Sequence, residues 1–166
     1  MGKHEMRRGV HIQERDFDVA AVTSAIRAAH GAAIGALVTF TGLVRDRNLG
    51  TGDDSDVSTL TLEHYPGMTE QSIDAILHEA EQRWPLLEVQ VIHRVGTMQP
   101  AEQIVLVAVA SAHRDAAFAG AEFVMDYLKT NAVFWKKEET KQGTHWVQSS
   151  TGDHDRAQQW QTSSDD

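Results

Sequence analysis

The run Gln103–Ser111, QIVLVAVAS, constrains the fold more than any other stretch of this chain. From Ile104 to Ala110 every side chain is apolar. Side chains of a strand point alternately to opposite faces, so a strand that is apolar without alternation belongs inside a sheet rather than at its edge. It is far too short to cross a bilayer, which takes about 20 such residues in a helix. The rest of the chain has to build layers around this strand.

Other segments supply those layers. Residues 9–14 read as a short strand. Asp16 or Asp18 can cap a helix running to about His30, with Phe17, Val22, Ile26 and Ala29 near helical spacing. Residues 33–44 are largely apolar and β-branched and read as a buried strand. Residues 46–56 form a loop rich in Gly, Asp and Asn, and residues 57–65 alternate, with Leu60 and Leu62 on one face. Pro66-Gly67 is a turn. Ile73, Ile76, Leu77, Ala80 and Trp84 then make one helical stripe, ended by Pro85. Residues 87–95 alternate through Leu87, Val89, Val91 and Val95, and His93 is the one break on that face. Gly96 and Pro100 bracket a loop. Asp115 opens a helix to about Thr130, with Phe118, Ala121, Met125 and Leu128 inward. Residues 131–140 are less regular, and 144–148 read as a short strand. The order β-α-β-β-α-β-β-α, then a short strand, predicts an α+β domain with helices on one face of a mainly antiparallel sheet. Residues 1–148 form this single domain. Residues 149–166 read as a polar C-terminal tail, expected to be flexible.

Composition narrows the function classes. The 166 residues fit one domain, and 41% hydrophobic residues suffice for a core. A formal net charge of -9 argues against a nucleic-acid partner. The charge is uneven, with Asp53, Asp54 and Asp56 in one cluster and Asp153, Asp155, Asp165 and Asp166 in the tail. Basic groups gather at Arg45 and Arg47, His93-Arg94, His113-Arg114 and from Lys129 to Lys141. An acidic protein with local basic groups suits a small anionic ligand. The chain has no cysteine, which excludes disulfides, a thiol nucleophile and thiolate metal sites. Its start is polar and basic with no apolar segment behind it, and Met6 breaks the myristoylation pattern. A cytoplasmic protein without a membrane anchor is expected.

Three groups carry candidate chemistry. His113-Arg114 sits where a strand hands over to a helix, whose free amides and Arg fork suit phosphate. The same pair can equally mark the end of a strand. Lys129 lies at a helix C-terminus, where the macrodipole favours lysine in any case. Lys136 and Lys137 follow Phe134 and Trp135. An aromatic wall can desolvate a lysine and lower its pKa, although stems lying along the rings are the commoner arrangement. Arg45, Arg47 and Asn48 lead from a strand into a loop, as ligand contacts often do, and a solvated hairpin end fits as well. The Asp53–Asp56 cluster lacks the Gly and Glu of a calcium loop. The nine histidines show no metal-ligand spacing, so a lone His64 or His93 reads as structural. No metal or cofactor is expected. The residues alone name no reaction.

Read as words in order, the segments are more specific. Phe40-Thr41-Gly42-Leu43-Val44-Arg45 leads into Asn48-Leu49-Gly50. Leu62-Glu63-His64-Tyr65-Pro66-Gly67-Met68 and Val91-Ile92-His93-Arg94-Val95-Gly96 follow. Then come Ser111-Ala112-His113-Arg114, Met125-Asp126-Tyr127-Leu128-Lys129-Thr130 and Phe134-Trp135-Lys136-Lys137-Glu138. This series resembles the molybdopterin synthase large-subunit family over roughly residues 10 to 148.

The resemblance implies an α/β hammerhead with an additional small antiparallel β-sheet. It implies a homodimer carrying two small ubiquitin-like subunits, a heterotetramer. The thiocarboxylated C-terminus of each small subunit would give sulfur to cyclic pyranopterin monophosphate, forming the molybdopterin dithiolene. Carried over residue by residue, Lys129 and Lys136 are catalytic. Leu43, Val44, Arg45, His113, Arg114, Lys129, Lys136, Lys137 and Glu138 bind substrate, with His113 and Arg114 reaching across the dimer interface. Lys136, beside the Trp135 wall, would steady the thiocarboxylate, and Lys129 would handle protons. Two rival readings are a lysine-dependent enzyme on another phosphorylated small molecule, with Lys129 as Schiff base, and a non-catalytic adaptor for a ubiquitin-like protein.

Overall fold

A computed structural model describes residues 5–46, 57–132, 134–140, 143–147 and 151–161. Arg47, Asn48 and the cluster of Asp53, Asp54 and Asp56 lie outside the described residues. The chain runs β1 (Arg7–Gln13), α1 (Val19–His30), a 3-10 turn (Gly31–Ala33), β2 (Ala36–Leu43), β3 (Val57–His64), α2 (Met68–Arg83), β4 (Leu86–Arg94), β5 (Gly96–Met98), β6 (Gln103–Ser111), α3 (Arg114–Thr130), β7 (Phe134–Thr140), β8 (Gly143–Val147) and α4 (Thr151–Gln158). The architecture is α+β, with two four-stranded sheets ordered β1-β4-β6-β2 and β5-β3-β7-β8. The second sheet is antiparallel throughout. In the first, β1 lies parallel to β4 and the other pairs are antiparallel.

Strand β6 takes the interior place its sequence demands, between β4 and β2. Val105, Val107 and Val109 on one face join Val89 and Val91 of β4 in the main core. Ile73, Ile76 and Leu77 of α2, with Phe123 and Val124 of α3, cover that face. On the other face Leu106 packs with Phe17, and Ala108 and Ala110 pack with Ile26 of α1. Helices therefore lie on both faces of the first sheet, which corrects the one-face expectation. The cause is β6 itself, because both of its faces are apolar and each needs cover. Burying each large side chain contributes about 1.5–3 kcal/mol.

The helix ends follow local chemistry. Asp18 caps α1 by accepting from the Ala21 amide at 3.1 Å. At the start of α2 the Gly67 amide donates to Glu70 Oε2 at 2.6 Å, with Gly67 at φ 86, where a side chain would be strained. Pro85 follows the α2 C-cap Trp84 and stops that helix.

Three segments are more ordered than their sequence suggests. Residues 96–98 form β5 by pairing with β3. Residues 134–140 form β7, paired on both sides, with Lys136 opposite Leu62. Its alternation is hidden because the inward positions after Phe134 are Lys136, Glu138 and Thr140. Residues 151–161, read as part of a polar tail, carry α4. Ala157 is buried there. Trp160 meets Trp84 and Phe123 edge-on, at 5.4 and 5.6 Å. Its indole Nε1 donates to Asp126 Oδ2 at 2.8 Å, and Arg83 Nη1 donates to its carbonyl at 2.7 Å. Ala157 in α4 and Trp160 in the turn after it anchor the segment despite its polar composition.

A small second core joins the sheets. Val44, Leu60, Leu62, Val95 and Met98 pack together beside Ile12, Ile104 and Phe134. Buried Arg94 fastens the edge of this seam. Its Nε and Nη2 donate to the Glu14 carbonyl and its Nη1 to the Gln103 carbonyl, at 3.0, 2.9 and 3.0 Å.

Candidate active site

A cavity of about 520 Å³ opens at this seam. Strand β2 and the residues after it bring Leu43, Val44 and Arg45 to its wall. The C-terminal end of α3 brings Lys129, β7 brings Phe134, Lys136 and Glu138, and β4 brings His93. Helix α4 adds Asp153 and Arg156. Four cationic side chains thus line one cavity, although their positions in the chain are far apart. Such a cluster is a ready site for an anion.

Lys136 is half-buried, and burial chiefly lowers its pKa, with the Lys129 charge adding to the shift. Glu138 opposes it. Glu138 is itself buried in the wall. The Lys136 ammonium is thereby made easier to deprotonate, the property an acid/base or nucleophilic lysine needs.

The structure corrects two details of the lysine strand. Trp135 is not the wall beside Lys136. Neighbours on a strand point to opposite faces, and Trp135 lies on the outer one, edge-on to Tyr65 at 4.6 Å. Phe134, two positions' worth of pleat in register with Lys136, supplies the aromatic surface instead. Lys137 shares the outer face, its Nζ 5.4 Å from the Trp146 ring centre, and does not line the cavity.

His113 and Arg114 also lie elsewhere within one chain. His113 is the exposed N-cap of α3 and Arg114 its first residue. A helix of 17 residues separates them from Lys129 by about 24 Å. Their own cavity is out of reach.

His93 belongs to the site, and the sequence reading missed it. Its Nδ1 donates to the Arg94 carbonyl at 2.9 Å. Its ring stacks on Phe134, with centres 4.0 Å apart and planes at 25°. Burial pushes its pKa down to about 4, and the charges of Lys129, Lys136 and His64 act the same way. The signal was the break in the apolar face of β4. Asp153 and Arg156 were missed because α4 was; the spacing of Ala157 and Trp160 was their signal. Among the described residues no group of three or more His, Cys, Asp or Glu could hold a metal ion.

Comparison with known proteins identifies the family of the chain. Residues 12–131 match the family model described as MoaE protein. The molybdopterin synthase catalytic subunit of Vibrio cholerae is 53% identical over 156 residues, spanning 94% of this chain and 100% of that protein. The solved structure of the molybdopterin biosynthesis MoaE protein from Burkholderia ambifaria superposes with a TM-score of 0.77 at 47% identity, covering 94% of this chain and 99% of that one. Molybdopterin synthase from Staphylococcus aureus superposes with a TM-score of 0.71 at 28% identity, over 82% of this chain and 95% of that one. Matched by the family model over residues 12–131 and by relatives over nearly its whole length, this chain belongs to the MoaE family of molybdopterin synthase catalytic subunits.

Proposed function

We propose that this chain is the catalytic subunit of a molybdopterin synthase. It takes sulfur from the thiocarboxylated C-terminus of a small ubiquitin-like subunit and transfers it to cyclic pyranopterin monophosphate, forming the dithiolene. The observation that carries this reading is the meeting of Lys129 from α3 and Lys136 from β7 in one cationic cavity. A thiocarboxylate and a phosphate ester are both anions, and both need charge compensation once desolvated. Lys136 steadies the tail and the tetrahedral adduct it forms. Lys129 moves protons as ring opening and sulfur attack proceed. Arg45, with Leu43, Val44 and Glu138 around it, holds the substrate. Lys137, beside Trp146 on the outer face, does not line this cavity. The scheme uses no metal and no cofactor.

The substrate contacts of His113 and Arg114 require a second copy of the chain, because their own cavity is too distant. A homodimer is favoured by the exposed Phe40 on edge strand β2 and the exposed Phe118 on α3, at 42% and 62%. Two small subunits then complete a heterotetramer. A cytoplasmic setting suits this chemistry, and no described helix is long and apolar enough to cross a membrane.

The test mixes this protein with a thiocarboxylated small subunit and the pyranopterin precursor, and follows dithiolene product by mass spectrometry. Product should need all three. Lys129→Ala should slow turnover about 10²–10⁴-fold, the range for a lost acid/base. Near-normal turnover in that variant would sink its assigned role. Partner binding without any product would favour an adaptor.

A further inference from the structure

His93 lines the cavity but has no task in the reaction outlined above. Its ring is held by the Phe134 stack and by the Nδ1 bond to the Arg94 carbonyl. A carbonyl oxygen can only accept, so Nδ1 carries the hydrogen and Nε2 is left as a bare lone pair. Among the described residues no fully buried side-chain nitrogen or oxygen lacks a hydrogen-bond partner. Nε2 has no such partner among the described residues, so it is not sealed in, and His93 lines the cavity. Lys129 and Lys136 line the same cavity, and their charges act on the ring. A lone pair next to ammonium donors is an arrangement that holds and orients water. The water oxygen accepts from an ammonium, and one of its O–H bonds donates to Nε2.

Sulfur transfer needs such a water. When the sulfur of a thiocarboxylate attacks a substrate carbon, it stays bonded to the acyl carbon. The partner's tail and the substrate are then joined as a thioester. Only cleavage of the acyl carbon–sulfur bond releases them.

We propose that His93 is the general base for this hydrolysis, its Nε2 removing a proton from a water held beside the Lys129 and Lys136 ammonium groups while the water oxygen attacks the thioester carbonyl carbon. A carbon–oxygen bond forms and the carbon–sulfur bond breaks. Sulfur leaves on the substrate as a thiolate, and the tail ends as a carboxylate. The proton on Nε2 passes to the thiolate or to solvent, and the second proton is lost as the new acid ionises. No electrons are exchanged. In the empty cavity burial and the neighbouring lysine charges weaken this base. An anionic tail and substrate offset the lysine charges, so the imidazole gains basicity when the cavity is loaded.

This inference rests on the sulfur-transfer reading, and one experiment separates the two. The complete assembly is compared with His93→Asn in the large subunit. The Asn amide can still donate to the Arg94 carbonyl but offers no acceptor at the Nε2 position. Product release should fall about 10²–10⁴-fold, as for a lost general base. The small subunit should meanwhile accumulate with the substrate mass attached, in a form that hydroxylamine cleaves, as seen by intact mass spectrometry. His93→Phe, which keeps the ring stack, should accumulate the same adduct, and it is the variant read if the Asn protein melts early. Wild-type rates in a folded variant overturn the proposal. So does a loss of product without adduct. No product from the wild type overturns the sulfur-transfer reading and this inference with it.

Discussion

Lowering the pH from about 7 toward 4 asks the folded protein to protonate His93 in surroundings that resist it. In the unfolded chain the imidazole takes up its proton near its ordinary value of 6.5, and in the fold only at about 4. Burial is the first cause, and the Lys129, Lys136 and His64 charges add to it, against the opposing Arg94 carbonyl. Between these values the unfolded chain binds the extra proton, so stability must fall as pH drops through the window and level off below it. At 1.36 kcal/mol per unit the full shift corresponds to about 3 kcal/mol. The open Nε2 edge lets cavity water relax the ionised ring, which brings the expected loss to about 2 kcal/mol. Urea unfolding of the wild type and His93→Asn, from about pH 7 to pH 4.5, measures this directly. Carboxylates titrate in both proteins and cancel in the difference. The wild type should lose about 2 kcal/mol more than the variant across the window. Equal slopes, or a steeper loss in the variant, would refute a neutral buried His93.

Three further outcomes rest on other contacts of the fold. Asp126→Ala removes the acceptor of the Trp160 and Gln159 side chains, at 2.8 and 3.1 Å. Hydrogen bonds to a charged group are worth about 1.5–3 kcal/mol each, so hydrogen exchange over residues 151–161 should accelerate while β6 stays protected; a uniform change would contradict a local anchor. In Gly35→Ala the new Cβ would fall 2.0 Å from the Ala112 carbonyl oxygen. The backbone must shift just ahead of His113, so Tm should drop by the equivalent of about 1–3 kcal/mol, and an unchanged Tm would count against the close packing of these segments. Lys136→Met replaces a charge that burial disfavours, so Tm should hold or rise while turnover falls about 10²-fold or more; a parallel loss of both would mean the lysine serves structure.

The chain's strongest patterns led directly to its elements. Seven apolar residues in a row could only be an interior strand, and the Ile73–Trp84 stripe could only be an amphipathic helix. The same interior strand also required cover on both faces, which the one-face arrangement overlooked. Strand β7 was harder to read for a functional reason. Its inward positions hold Lys136 and Glu138, whose value lies in a cavity rather than a core, so hydrophobic alternation could not mark it. Motif order assigned Lys129, Lys136 and Arg45 to one site, and the fold brings them together. It also favoured Lys137, which the pleat turns away. His93 was marked only by a break in its strand's apolar face. A single histidine on an apolar strand looks structural until Lys129 and Lys136, from two later elements, are folded against it.

Helix α3 carries Arg114 at its head and Lys129 near its tail, and one straight helix cannot bring both to one place. In the homodimer proposed above, each copy therefore serves two cavities: the tail works in its own, the head in its neighbour's. Two inactive proteins, Arg114→Ala and Lys129→Ala, should then repair one another when subunits exchange. In a mixed pair one cavity collects both lesions and the other collects none. Random pairing of equal amounts makes half the dimers mixed, leaving roughly a quarter of all cavities intact. A cell carrying two dead alleles of this kind would regain the activity that neither supplies alone.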